Sequence, residues 1–194
     1  MIDPMRVARV LDSGSPAVVP TDTVYGLAAA LSGEAVSRVF TLKGRPDDKA
    51  LPVLAAERSD LEAVADLDPR ARELAETFWP GPLTIVCRCA PSFQLDLGGS
   101  GDGTVAVRIP AWDLLLDILR VTGPLAVTSA NLSGQAPATT IGRAREIFGE
   151  AVGAYVDGGV CDGAPSTVIS TVDAPVVLRE GTLRGADLIQ MLTE

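Results

Sequence analysis

The chain has 194 residues, 47% apolar and 21% charged, which fits one globular domain with a substantial core and excludes a disordered chain. Its 16 Lys and Arg against 25 Asp and Glu leave a net charge of −9, a field that repels nucleic acid and argues against binding RNA or DNA over a broad face. Histidine is absent, which excludes Ser-His-Asp triads, Cys-His dyads, HExxH metal sites and any His-containing zinc site. The three cysteines, Cys87, Cys89 and Cys161, are too few and too odd in number for a disulfide framework. They suit a reducing compartment. No targeting signal is visible, and no apolar run approaches the ~18–20 residues that span a bilayer. A cytoplasmic chain with no membrane partner is expected.

Residues 1–12 read as an amphipathic helix, with Asp3 as N-cap, Pro4 at the first helical position and Val7, Val10 and Leu11 as its apolar stripe. Gly14 and Pro16 end it. Residues 17–20 read as a short buried strand running into a polar turn at 21–25. A helix over 34–42 follows, stopped by Gly44 and Pro46. Residues 51–55 read as a strand. Ser59 and Glu62 make a capping-box pattern for a helix carrying Leu61, Val64 and Ala65. Asp68-Pro69 opens another helix to about Phe78, and Trp79-Pro-Gly-Pro82 breaks it. Strands at 83–89 and 104–109 flank a Gly-rich loop at 98–103. A helix at 112–120, a strand at 124–128, a helix at 141–148, strands at 154–156, 167–171 and 176–179, and a helix at 186–192 complete the chain. Strands alternate with helices through most of it, and the short link between the last two strands implies an antiparallel pair. The expected fold is therefore α/β, one domain over 1–194, with a twisted mixed parallel/antiparallel sheet flanked by helices.

Ligands of open α/β sheets gather beyond strand ends, so the polar residues there are the candidates. Thr21, Asp22, Thr23 and Tyr25 follow the first strand. Arg108 and Arg179 close two others. Thr128, Ser129, Asn131 and Ser133 lie at and after the strand at 124–128, and Ser166 and Thr167 open a late one. The chain's two lysines both fall in Lys43-Gly-Arg-Pro-Asp-Asp-Lys49, although every other cation is Arg. A point cation beside a planar fork, flanking a glycine, suits a polyphosphate; a solvated turn would look the same. The 128–134 segment, TSANLSG, can offer hydroxyls and N–H groups to an anion or be a plain Ser/Asn turn. The 98–103 glycines precede a strand, not a helix, and are not a dinucleotide fingerprint. No P-loop is present. Asp47-Asp48 reads as a solvated acidic turn in preference to a metal pair.

Seven segments in order resemble the YrdC-like family of threonylcarbamoyl-AMP synthases, in its short single-domain form. They are PTDTVYGL at 20–27, KGRP at 43–46 with LPVL at 51–54, WPGPLT at 79–84, TVAVRIP at 104–110, TSANLSG at 128–134, STV at 166–168 and LREG at 178–181. The family's Lys-x-Arg and Ser-x-Asn signatures fall on Lys43/Arg45 and Ser129/Asn131. The resemblance implies formation of threonylcarbamoyl-AMP and pyrophosphate from L-threonine, bicarbonate and ATP with Mg²⁺. The product would supply a tRNA-modifying transferase complex. Lys43 and Arg45 would be catalytic and, with Arg179, would hold phosphates. Ser129 and Asn131 would fix the nucleotide. Arg108 and Ser166 would hold the threonine carboxylate, with Thr21 or Thr23 on the amino acid.

Three other readings compete. A double-stranded RNA-binding module of the same fold needs a broad phosphate-contacting surface, which two lysines and an acidic balance oppose. A carbamoyl-adenylate-forming domain of the hydrogenase-maturation type needs further domains that 194 residues do not hold. A same-fold sugar-phosphate lyase lacks the ATP-using motifs quoted above. The same net charge of −9 argues against direct tRNA binding by the synthase.

Overall fold

The Asp3 carboxylate accepts the Met5 N–H and starts the first helix, α1 (Pro4–Asp12). The computed structural model describes residues 3–99 and 101–193, so the first two residues of the helix expected at 1–12, and Ser100 of the Gly-rich loop, lie outside the described residues. After α1 come β1 (Ala17–Val19), β2 (Gly26–Ala30), α2 (Gly33–Lys43), β3 (Val53–Leu54), α3 (Arg58–Glu62), β4 (Ala65–Asp66) and α4 (Pro69–Phe78). Then follow β5 (Leu83–Cys89), β6 (Thr104–Arg108), α5 (Asp113–Thr122), β7 (Leu125–Ser129), α6 (Ile141–Phe148), β8 (Ala154–Tyr155), β9 (Thr167–Ser170), β10 (Val176–Arg179) and α7 (Gly185–Met191). Among the described residues no helix is long and apolar enough to cross a membrane.

Most elements fall where the residue pattern puts them, and two strands do not. β2 is Gly-Leu-Ala-Ala-Ala, a poor strand former by composition. It is extended because it pairs with β1 on one side and β7 on the other, both antiparallel. Residues 65–66, expected in a helix, form β4 because they pair with Arg88 and Cys89 at the end of β5. The helix before them therefore stops at Glu62. The expected capping box is not made: Glu57 is the N-cap, without a side-chain bond, and Ser59 lies inside the helix. The strand expected at 51–55 shrinks to two residues, since Pro52 has no N–H and the Leu51 N–H goes to Leu97 O.

Among the described residues the strands form one mixed sheet in the order β10-β9-β5-β6-β3-β7-β2-β1-β8, with β4 added on β5. The pairs β3–β6, β5–β9 and β1–β8 are parallel, and the remaining pairs are antiparallel. Side chains alternate across the sheet. Ile85, Cys87, Val105 and Val107 are buried on the covered face, while Val86 and Ala106 on the other face are only half-buried. One face is thus core and the other partly open. Helix α1 packs on α5 and β2, α4 on β5, and α7 on β10. All three cysteines are free, and burial pushes the Cys87 thiol up to about 12, which makes it an inert core residue.

Candidate active site

A cleft of about 320 Å³ opens on the uncovered face of the sheet, within the usual size range of ligand sites. The strand-end rule thus located its rim but not its floor. The floor is made of Gly26, Pro52, Leu54, Ala106, Val127 and Val168, from the adjacent strands β2, β7, β3 and β6, from β9 beyond β5, and from the residue before β3. Small residues keep it open. A Cβ on Gly26 would stand 2.6 Å from Val127 Cγ1, so β2 and β7 could not pair as they do around a larger residue.

One end of the cleft is built by the end of α2 and the loop after β7. Gly44 takes a left-handed conformation, φ 56°, and closes α2 with its N–H and that of Arg45 returned to Thr41 O and Phe40 O. That reversal sends Lys43 and Arg45 to different places. Arg45 reaches the cleft, bracing its guanidinium on Lys49 O at 2.7 Å and Ala50 O at 2.9 Å and approaching Thr128 Oγ1 at 3.5 Å. Lys43 turns beneath the loop and is 2% exposed. Its Nζ donates to Ser129 O, to Asn131 O at 2.8 Å and to Asn131 Oδ1 at 3.2 Å. Its own carbonyl accepts the Ser133 N–H. Burial, and then the Arg45 charge, lower the Lys43 ammonium to about 8. Asn131 is equally internal: its Nδ2 donates to Leu132 O and Gln135 O, and its Oδ1 accepts from Ser129 Oγ.

The other end gathers residues from β5, β6 and β10 and Ser166, which precedes β9. Arg108 donates from Nε to Gly81 O at 2.9 Å and from Nη2 to Asp22 Oδ1 at 2.6 Å. Burial lowers its hold on its proton, the Asp22 carboxylate opposes this, and the nearby Arg179 adds to it. Arg179 donates to Ser166 O and Oγ, and the Ser166 hydroxyl also meets Thr84 Oγ1 at 2.8 Å. Arg108 closes its strand without reaching solvent: its side chain is 6% exposed.

The 21–25 turn sits against both ends. Thr21 Oγ1 donates to Val24 O at 2.6 Å and accepts the Thr23 and Val24 N–H groups, so it is used up in holding the turn. The Thr21 and Thr23 hydroxyls also meet at 2.9 Å. Thr23 lines the cleft beside Thr21. Tyr25 ties the turn down: its buried hydroxyl donates to Gly159 O and accepts the Gly158 N–H.

Of the residues singled out from sequence, Thr21, Thr23, Arg45, Arg108, Ser129, Ser166 and Arg179 line this one cleft, and Lys43 and Asn131 lie under it. Lys43, one residue past the helix expected at 34–42, is instead the last residue of α2 and buried, because three carbonyl-type oxygens replace its hydration. Sequence reasoning passed over Thr84 and left Asp22 without a role. Their only signals were their places in the WPGPLT and PTDTVYGL motifs. Three guanidiniums and no carboxylate face the cleft among the described residues, so an acidic protein has one concave anion site. No cluster of three His, Cys, Asp or Glu able to hold a metal occurs among the described residues. This donor set does not fit a resident Mg²⁺, and Mg²⁺ commonly binds through substrate phosphates.

The match to known proteins covers the same segments. A family model described as "Telomere recombination", for Sua5, YciO and YrdC proteins, matches residues 9–181. A Mycobacterium leprae protein is 40% identical over 186 residues, 94% of this chain and 84% of its own length. The Bacillus subtilis threonylcarbamoyl-AMP synthase is 38% identical over 91% of this chain, which spans 52% of that protein. The crystal structure of Pyrococcus abyssi Sua5 complexed with L-threonine superposes with a TM-score of 0.90 at 38% identity, covering 98% of this chain and 58% of that one. With its sheet order, its arginine-lined cleft and this match over nearly its whole length, the chain belongs to the Sua5/YciO/YrdC family.

Proposed function

We propose that the chain is an L-threonylcarbamoyladenylate synthase. The observation that carries this reading is the cleft itself: it has a carboxylate-binding guanidinium, Arg108, at one end, and Arg45 beside Thr128 and Ser129 at the other. It therefore suits two anionic partners brought together. Relatives named threonylcarbamoyl-AMP synthase, and one solved with L-threonine, support the choice of substrates.

The threonine amine attacks the bicarbonate carbon and water leaves, giving a carbamate. A carbamate oxygen then attacks the α-phosphorus of ATP, and the bond to pyrophosphate breaks. Both partners of the second step are anions, so alignment and charge neutralisation are the main needs. Arg108 and Ser166 hold the threonine carboxylate. Thr23 meets the amine, while Thr21 shapes the turn. Arg45, Arg179 and Ser129 hold the nucleotide and its phosphates. Lys43 and Asn131 serve the nucleotide by building the loop from below. Mg²⁺ would be carried on the ATP phosphates, whose charge it would partly neutralise, and would not be held by residues of this chain. The product is a reactive mixed anhydride, so an acceptor such as a tRNA-modifying transferase complex must take it up in the cytoplasm.

The test is pyrophosphate release from ATP, omitting threonine and bicarbonate in turn. Release that needs both supports the synthase. Release with threonine alone points to simple amino-acid adenylation. No release from a folded chain that binds ATP returns attention to the binding-module reading.

A further inference from the structure

Among the described residues, Asp22 is the one carboxylate in contact with a cleft guanidinium. Arg45 bonds to Lys49 O, Ala50 O and Thr128 Oγ1, and Arg179 bonds to Ser166. Only Arg108 has an acidic partner, at 2.6 Å, and the pair is nearly out of water: the side chains are 6% and 11% exposed. Asp22 does not itself line the cleft; Thr21, Thr23 and Arg108 around it do.

The way Arg108 is held is informative. A guanidinium tied at one nitrogen can still swing about that bond. Tied at two, it has a fixed plane. Gly81 O takes Nε and Asp22 Oδ1 takes Nη2, while Nη1 has no protein partner among the described residues. The unused N–H groups belong to a planar fork of the geometry that receives a carboxylate. Asp22 also supplies the negative charge that offsets the proximity of Arg179, which would otherwise push the Arg108 head away.

We propose that Asp22 is a positioning residue for the amino-acid end of the cleft, holding Arg108 so that its unpaired N–H groups meet the substrate carboxylate, without touching the substrate itself. The inference rests on the synthase reading above. It makes the acceptor oxygen at position 22, not the bulk of the residue, the feature that matters. It also makes the effect one-sided, on the amino acid and not on ATP, whose Arg45 anchor lies in the turn after α2 and is independent of Asp22.

The experiment compares the unmodified chain with Asp22→Ala and Asp22→Asn. Turnover is read by pyrophosphate release, and L-threonine and ATP binding are each read by calorimetry. Asp22→Ala should raise the threonine KM and Kd about 10-fold or more, with the ATP values within about 2-fold. Asp22→Asn keeps an acceptor oxygen and should recover most of the loss. It is also the variant that reports if Asp22→Ala does not fold. Unchanged or tighter threonine binding in Asp22→Ala overturns the proposal, since Asp22 would then be inert or a competitor of the substrate, and so does a loss of about 10-fold in Asp22→Asn, which keeps the acceptor oxygen. So does an equal loss for threonine and ATP. An unmodified chain that binds threonine without turning it over counts against the synthase reading alone; one that binds no threonine counts against both.

Discussion

At one end of the cleft the Lys43 ammonium is surrounded by three neutral oxygens of the 129–131 backbone and Asn131; at the other the Arg108 guanidinium faces the carboxylate of Asp22. Both cations are almost fully buried. The difference is what compensates them. Dipoles around Lys43 satisfy its three N–H donors but bring no opposite charge, so burial drags its proton affinity down to about 8. Arg108 has a true counter-ion, and a guanidinium does not deprotonate in proteins. One end is therefore sensitive to pH and devoted to loop shape. The other is permanently charged and leaves donors over for a ligand.

Four changes test that contrast. The largest effect is expected at Arg108→Lys, which keeps a charge but loses the fork: the threonine KM should rise by about 100-fold with the ATP KM nearly constant, since a charge-assisted bond contributes about 1.5–3 kcal/mol. Steady-state kinetics with each substrate varied will read it, and a uniform loss for both would remove the distinction between the two ends.

Next comes Lys43→Met, which leaves Asn131 O without its donor, while Ser129 O keeps the Asn131 N–H and Asn131 Oδ1 keeps the Ser129 hydroxyl. It should cost about 1–3 kcal/mol, the cost of one orphaned buried group, seen as a lower denaturant midpoint, and should weaken ATP more than threonine. An unchanged midpoint with lost turnover would instead mean that Lys43 touches substrate.

The pH dependence is smaller and has a definite sign. Lys43 titrates at about 8 in the folded chain and near its ordinary 10.5 when unfolded, so between these values the unfolded state binds more protons. Unfolding free energy, measured relative to Lys43→Met, should therefore rise from about pH 8 to about 10.5 and fall back as pH drops through 8. Turnover should move the opposite way, declining above about pH 8, because a neutral amine donates one bond fewer to the loop. A flat difference between the two chains over this window would show that Lys43 keeps its ordinary affinity.

The smallest effects separate the two threonines. Thr21→Val removes the centre of the turn and should lower stability by about 1–2 kcal/mol. Thr23→Val should leave the melting temperature nearly unchanged and weaken threonine binding by about 10-fold. The reverse pattern would exchange their roles.

Much of this fold was legible without coordinates. Asp68-Pro69, the 83–89 alternation and the Thr140–Phe148 segment act through local geometry: a cap, a strand period, a helical period closed by Gly149. Such signals depend on neighbours a few residues away, so the chain itself decides them. The motifs also selected the cleft, since seven of nine expected residues line it. What the chain alone does not decide is anything set by a partner far along it. Residues 26–30 become a strand only between β1 and β7, and residues 65–66 only against β5. Lys43 and Arg45, two residues apart and alike in charge, separate into a buried brace and a cleft cation because Gly44 turns the chain between them and the loop after β7 supplies oxygens to one of them. Asp22 gains a role only once β6 carries Arg108 to within 2.6 Å of it, across 86 residues of chain. Periodicity and caps are short-range physics; the compensation of a buried charge is long-range, and only the packed sheet brings its partners together.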